Sequence, residues 1–244
     1  MSLATTILGY MTAVPLLLCA LALILLENLG SEVLRPSGRA AGHGRRKLDG
    51  WVKLICRASL IPFGIRSRVT GRSRLQPDGV YIFMANHVNI FDPIVLYGHI
   101  NHTVRGVELE QHFDWPLWGA IIRRIGTIPI SHRSVAAALE SLNRAAQTLR
   151  GGISILILPE GHRTRDGRLR PFMRGPFRLA LDARADIVPV ALKGLYERNR
   201  AHTLRVLPGK IEIKFGDPIA YRHFADRTPR QLAEKVRAAI QDLL

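Results

Sequence analysis

Two short runs, Ile153 to Leu158 and Ile187 to Leu192, are apolar with almost no alternation. A strand with one wet face alternates apolar and polar residues, so these runs read as central strands covered by helices on both faces. Around them strand-like and helix-like segments take turns. Strands fit Val80 to Ala85, Val104 to Leu109 and Ile211 to Phe215; helices fit Pro93 to Ile100, Pro116 to Ile125, Ser134 to Arg150 and Pro171 to Arg184. Thr228 and Pro229 supply an N-cap and first helical position for a last amphipathic helix. The expected fold class is therefore α/β, a mixed, mostly buried sheet flanked by helices, over residues 65–244. In such folds ligands sit at the carboxyl ends of the strands, where the chemistry should be sought.

Ahead of this domain, Ile7 to Leu26 is apolar apart from Gly, Thr, Pro and Tyr. About 20 such residues cross a hydrocarbon core as a helix, so residues 1–34 are expected to form a membrane anchor with a transmembrane helix over about 7–26. Residues 1–34 contain no Lys or Arg, which a signal peptide would need, and the anchor is expected to be retained. The first cations, Arg35, Arg39, Arg45, Arg46 and Lys47, all follow the span. That bias places the rest of a single-pass protein on the cytoplasmic side, as at a bacterial inner membrane. Residues 35–64 read as a basic juxtamembrane linker against anionic headgroups, with a possible interfacial helix carrying Trp51, Leu54, Ile55 and Ala58. The formal charge of +16 points to anionic partners. Cys19 and Cys56 match no metal or redox spacing and read as reduced packing residues.

Two segments carry chemistry. After the strand Val80 to Ala85 comes Asn86-His87-Val88-Asn89-Ile90-Phe91-Asp92-Pro93. An imidazole can take the proton of an attacking hydroxyl near neutral pH, and an aspartate on its other nitrogen fixes the tautomer and stabilises the imidazolium. Asp92 also suits a helix start with Pro93 behind it; capping through one oxygen and orienting His87 through the other are compatible. After the strand Ile153 to Leu158 comes Pro159-Glu160-Gly161-His162-Arg163-Thr164. Glycine frees the turn, Arg163 can grip a phosphate, and Glu160 can accept from an acceptor hydroxyl or hold Arg163.

Together the segments resemble the glycerolipid acyltransferases that include 1-acylglycerol-3-phosphate acyltransferases, with their Asn-His-x4-Asp and Pro-Glu-Gly-x-Arg blocks. The resemblance covers roughly residues 65 to 220 in family order. Trp115 to Gly119 with Ile125 to Ile130 resembles the second block, and Ile187 to Val190 the fourth. The resemblance implies transfer from acyl-CoA or acyl carrier protein to the free hydroxyl of a lysophospholipid, most often 1-acylglycerol-3-phosphate, without an acyl-enzyme intermediate. It implies His87 as general base, Asp92 as its partner, and Asn86, Arg133, Glu160, Gly161, Arg163 and Arg174 as substrate-binding residues. No metal or organic cofactor is implied. Two departures stand out. The second-block arginine falls at His132 or Arg133, and only Arg174 remains of a lysine pair common in the family. The same chemistry on another lysolipid, such as an amino-acid-derived one, is the alternative.

Other classes fit less well. No serine sits in a G-x-S-x-G elbow. His99 and His102 lack the HExxH pattern and read as exposed histidines at a helix end. The charge permits nucleic-acid binding, but a membrane span without an RNA-binding aromatic motif disfavours it, so no nucleic acid is expected.

Overall fold

The computed structural model describes residues 6–13, 15, 40–131, 133–200, 203 and 205–244, with backbone alone over 40–48. Seven strands form one mixed sheet: β1 (Ile65–Thr70), β2 (Tyr81–Ala85), β3 (Val104–Leu109), β4 (Ile128–Ile130), β5 (Ser154–Ile157), β6 (Asp186–Lys193) and β7 (Gly209–Phe215). Their order is β1-β7-β6-β2-β5-β3-β4. Every neighbouring pair is parallel except β6 with β7. Pro189 pairs with Met84 on β2, and on the other side its carbonyl accepts from Gly216 N–H at 2.8 Å while proline has no N–H to return, so the ladder with β7 begins at Val190.

The expected burial of the central strands holds. All five β2 residues are buried, and alternate residues feed two cores. Phe83 and Ala85 join Val188 and Val190 on one face, while Ile82 and Met84 join Ile155, Ile157 and Phe177 on the other. Among the described residues, seven helices besides the helical stretch 6–13 complete the layers: α1 (Ala40–Ala58), α2 (Asp92–His99), α3 (Trp118–Arg124), α4 (Val135–Arg150), α5 (Gly175–Ala183), α6 (Leu195–Arg198) and α7 (Pro229–Leu243). Thr228 and Gln231 close a capping box on α7, and Ser134 caps α4 by accepting from Ala137 N.

Several expectations are corrected. The helix expected from Pro171 starts at Gly175, because Met173 N–H is committed to Pro159 O at 2.8 Å and residues 171–173 take no regular secondary structure. The region read as a linker is helical from Ala40, and Asp49 on α1 pairs with Arg105 on β3 at 2.7 Å. Both side chains of that pair are nearly buried. His99 and His102 are not exposed. His99 donates back to Val95 O (2.7 Å), and His102 bonds Gln76 O (2.8 Å) with its ring against Tyr81 and Phe83. His99 lies on the last turn of α2, which is buried from Val95 onwards, whereas His102 lies in the turn after the helix and is buried by its ring contacts with β2.

Residues 6–13 are helical and lie on the domain: Thr6 Oγ1 donates to Val206 O at 3.2 Å, and Tyr10 packs edge-on against Phe63. Among the described residues no helix is long and apolar enough to cross a membrane. Most of the span expected over 7–26, and Cys19 with it, lies outside the described residues.

Candidate functional site

β2 and β5 are parallel neighbours, with Met84 opposite Ile157, so their carboxyl ends deliver both motif segments to one place. His87 leaves β2 with its side chain 19% exposed and its Nδ1 2.7 Å from Asp92 Oδ2. The fully buried Asp92 gathers three donors on that one oxygen: His87, Val88 N–H (2.6 Å) and Asn89 N–H (2.8 Å). This differs from the division of labour expected of its two oxygens. Asp92 is the first residue of α2 and accepts from the turn before it, not from the helix after it. Burial pushes its carboxyl above the ordinary range, opposed by the His87 contact and the two amides. Its place at a helix N-terminus adds a further favourable field for negative charge.

Glu160 holds the backbone rather than Arg163. Its Oε1 accepts from His87 N–H at 2.6 Å and its Oε2 from Arg170 N–H at 2.8 Å, and the residue is 5% exposed. Burial raises its carboxyl pKa, with the two amides acting against the shift. Thr164 N–H completes the grip by donating to His87 O at 2.9 Å. The first segment is thus clamped by the second at both the amide and the carbonyl of the histidine. Asn86 likewise turns inward, its side chain pairing with Leu192 N–H (2.7 Å) and Leu192 O (3.0 Å) on β6. Asn89 spans to Leu195 O and Asn199 O. Thr164 and Asn89 lie inside the two motif segments, and polarity at buried strand ends is the sequence signal for their part in the site.

In front of His87 lies a cavity of about 1210 Å³, walled by apolar side chains such as Ile55, Ile121, Ile125, Leu142 and Leu156. Gly161, His162, Arg163 and Arg133 also line it, whereas Asn86, Glu160 and Arg174 do not. Gly161 takes φ +72°, and a Cβ there would come 2.5 Å from Met173 Sδ, so glycine is needed for the close turn. Arg133 reaches Glu110 at 3.3 Å, and beside it His112 Nδ1 contacts Glu108 at 2.7 Å. Glu108, Glu110 and His112 were missed because no motif contains them. His132 lies outside the described residues. Cys56 also lines the cavity, and burial pushes its thiol up to about 12, which keeps it protonated.

A buried carboxylate, an imidazole it orients, and an apolar chamber rimmed by cations can activate a hydroxyl beside a long hydrocarbon chain. The chain is 29% identical over 164 residues to a 1-acyl-sn-glycerol-3-phosphate acyltransferase of Cocos nucifera, covering 67% of this chain and 53% of that one. It is 32% identical over 158 residues to one of Limnanthes douglasii, covering 64% and 56%. It thus spans little more than half the length of these curated relatives. In fold it matches the crystal structure of the 1-acyl-sn-glycerophosphate (LPA) acyltransferase PlsC from Thermotoga maritima, with a TM-score of 0.82 at 20% identity over 99% of this chain and 95% of that one. Residues 66–193, more than half of the sequence and both motif segments among them, match the family described as Acyltransferase, and the chain belongs to that family.

Proposed function

We propose that the protein transfers a fatty acyl group from acyl-CoA or acyl carrier protein to the free hydroxyl of 1-acylglycerol-3-phosphate, giving phosphatidic acid. The observation that carries this is His87, held on buried Asp92 at 2.7 Å and facing an apolar cavity of about 1210 Å³. Nε2 of His87 takes the proton as the acceptor oxygen attacks the thioester carbonyl. The C–S bond then breaks, and the departing thiolate recovers that proton from the imidazolium. Asp92 keeps Nδ1 protonated in the resting state and stabilises the imidazolium in between, while the two backbone amides on its Oδ2 favour the carboxylate. Arg163 and Arg133 on the rim supply cations for the acceptor phosphate. The reaction needs no metal or organic cofactor, because the thioester is already an activated acyl group. An N-terminal membrane anchor would keep the cavity beside its lipid substrate, with the domain on the cytoplasmic side.

A second reading keeps the chemistry and changes the headgroup. Glu110 on Arg133 and Glu108 on His112 give one side of the rim mixed charge, which suits an acceptor bearing an ammonium group. Purified protein in detergent, given a palmitoyl thioester and a panel of lysolipids, separates the two by mass spectrometry of the product. Phosphatidate from lysophosphatidate supports the first reading, and product from an amino-acid-derived lysolipid alone supports the second. Free palmitate formed at the same rate without any acceptor would contradict both.

A further inference from the structure

Between 163 and 178 the chain places six arginines, Arg163, Arg165, Arg168, Arg170, Arg174 and Arg178. We propose that the strap from Arg163 to Arg174 docks an acidic acyl carrier protein as acyl donor, guiding its phosphopantetheine arm over Gly161 and Arg163 into the cavity. The proposal rests on the acyl-transfer reading above and names a partner for that site.

The strap has little regular secondary structure, yet its backbone is fixed at many points. Glu160 accepts from Arg170 N–H, and Asp166 Oδ1 accepts from Thr164 Oγ1 (2.8 Å) and Arg168 N–H (3.0 Å). Tyr196 OH donates to Arg165 O (2.8 Å), Arg237 donates to Leu169 O (3.0 Å), and the Leu169 side chain is buried. Rigid backbone therefore presents long cationic side chains outward. Arg165, Arg168, Arg170 and Arg174 are exposed and make no ion pair among the described residues, whereas Arg178 is paired with Asp182 and Arg133 with Glu110. The one acid within the strap, Asp166, is spent on its own turn.

Clustered like charges repel, and a partner of opposite sign relieves that cost while speeding encounter. A single acceptor phosphate does not account for the cluster, since Arg163 alone of the strap's arginines lines the cavity. The adenine of coenzyme A would seek an aromatic face. Of the nearby rings, Phe172 stacks on Phe177 towards the core, and Arg200 lies 6.0 Å over Tyr196. A lipid surface takes up large apolar side chains, but the strap contributes only Met173 to the exposed ones; the others, such as Trp51, Leu54 and Ile61 at α1 and Trp115 and Leu117 before α3, lie elsewhere in the sequence. An acidic helical protein needs neither stacking nor insertion, only a rigid array of cations.

The test compares palmitoyl-loaded bacterial acyl carrier protein with palmitoyl-CoA as donors to lysophosphatidate, using the full chain in detergent and the double variant Arg165→Glu/Arg168→Glu. The expected result is a loss of about thirtyfold in kcat/KM with the carrier protein and a change within about twofold with palmitoyl-CoA. Binding of the loaded carrier protein to the His87→Ala chain reads docking without turnover. It is expected to weaken at least about tenfold in the charge-reversed chain and on moving from low to high salt. An equal loss with both donors, no loss with either, or no binding of the carrier protein would overturn the proposal. So would loss of binding to phosphatidylglycerol vesicles with the carrier-protein rate unchanged, which would make the strap a membrane surface. Carrier binding that depends on these arginines, with no acyl transfer to any acceptor, would sustain the docking surface and count against the acyl-transfer reading alone.

Discussion

In the proposed mechanism His87 supplies the chemistry, and Asp92 and Glu160 hold it in place. Asp92 spends one oxygen on three donors, so its effect on His87 depends on charge and not only on hydrogen bonding. Asp92→Asn keeps the size and removes the charge; an amide facing Nδ1 also favours the tautomer that leaves Nε2 protonated. The expected loss in kcat is about 10³-fold or more, measured as thiol release at saturating acceptor, with the near-ultraviolet dichroism of the wild type retained. Glu160 touches backbone amides only, which makes it a positioning residue. Glu160→Gln leaves one acceptor oxygen and sets an NH2 against the other N–H. The expected result is a fall in kcat of about 10²-fold with the acceptor KM changed less than about threefold. A large rise in KM at constant kcat would instead put Glu160 in contact with the acceptor.

At the scale of elements, periodicity made most of the sheet and helices legible. β3 agrees with the expected bounds to the residue, and β2, β5, β6 and α4 agree within one or two. These segments bury a regular face, which is what a hydrophobic pattern reports. β1 and β4 escaped because Ile65–Thr70 has four polar residues in six, two of them arginine, and Ile128–Ile130 is too short to show a period. The first half of α1 escaped for a related reason: Gly, Arg and His between 40 and 48 give no apolar stripe. What anchors α1 instead is long-range, the Asp49 pairing with Arg105 on β3, which no local pattern contains. Breaking that pair strands a buried guanidinium, so Asp49→Ala is expected to cost about 3 kcal/mol in urea unfolding. A cost below about 0.5 kcal/mol would show that this pair does not hold α1. At the site, the motif spacing exposed His87 and Asp92, while the grip of Glu160 and Thr164 on the His87 backbone needed the β2–β5 register to become visible.

For the molecule as a whole, stability should depend on pH through groups far from the chemistry. His99 is buried at the end of α2 with Arg57 and Arg72 nearby, and burial holds its pKa below the ordinary histidine value. The unfolded chain therefore takes up a proton at a higher pH than the folded one. Stability from this group is present above the ordinary histidine value and is lost as pH falls below it. Melting temperature is expected to drop between about pH 7 and pH 5, with a shallower slope in His99→Gln; parallel slopes would exclude His99 as a source. Residues of both cores, one on each face of the sheet, contribute to the wall of the cavity, and the proposed mechanism puts the chemistry on His87 where β2 ends. The most direct test of that claim is the steady-state rate of acyl transfer from palmitoyl-CoA to lysophosphatidate by the His87→Ala chain, after matching its melting temperature to the wild type. A loss of at least about 10³-fold with the fold intact is the expected result, and a rate within a fewfold of the wild type would contradict the role given to His87.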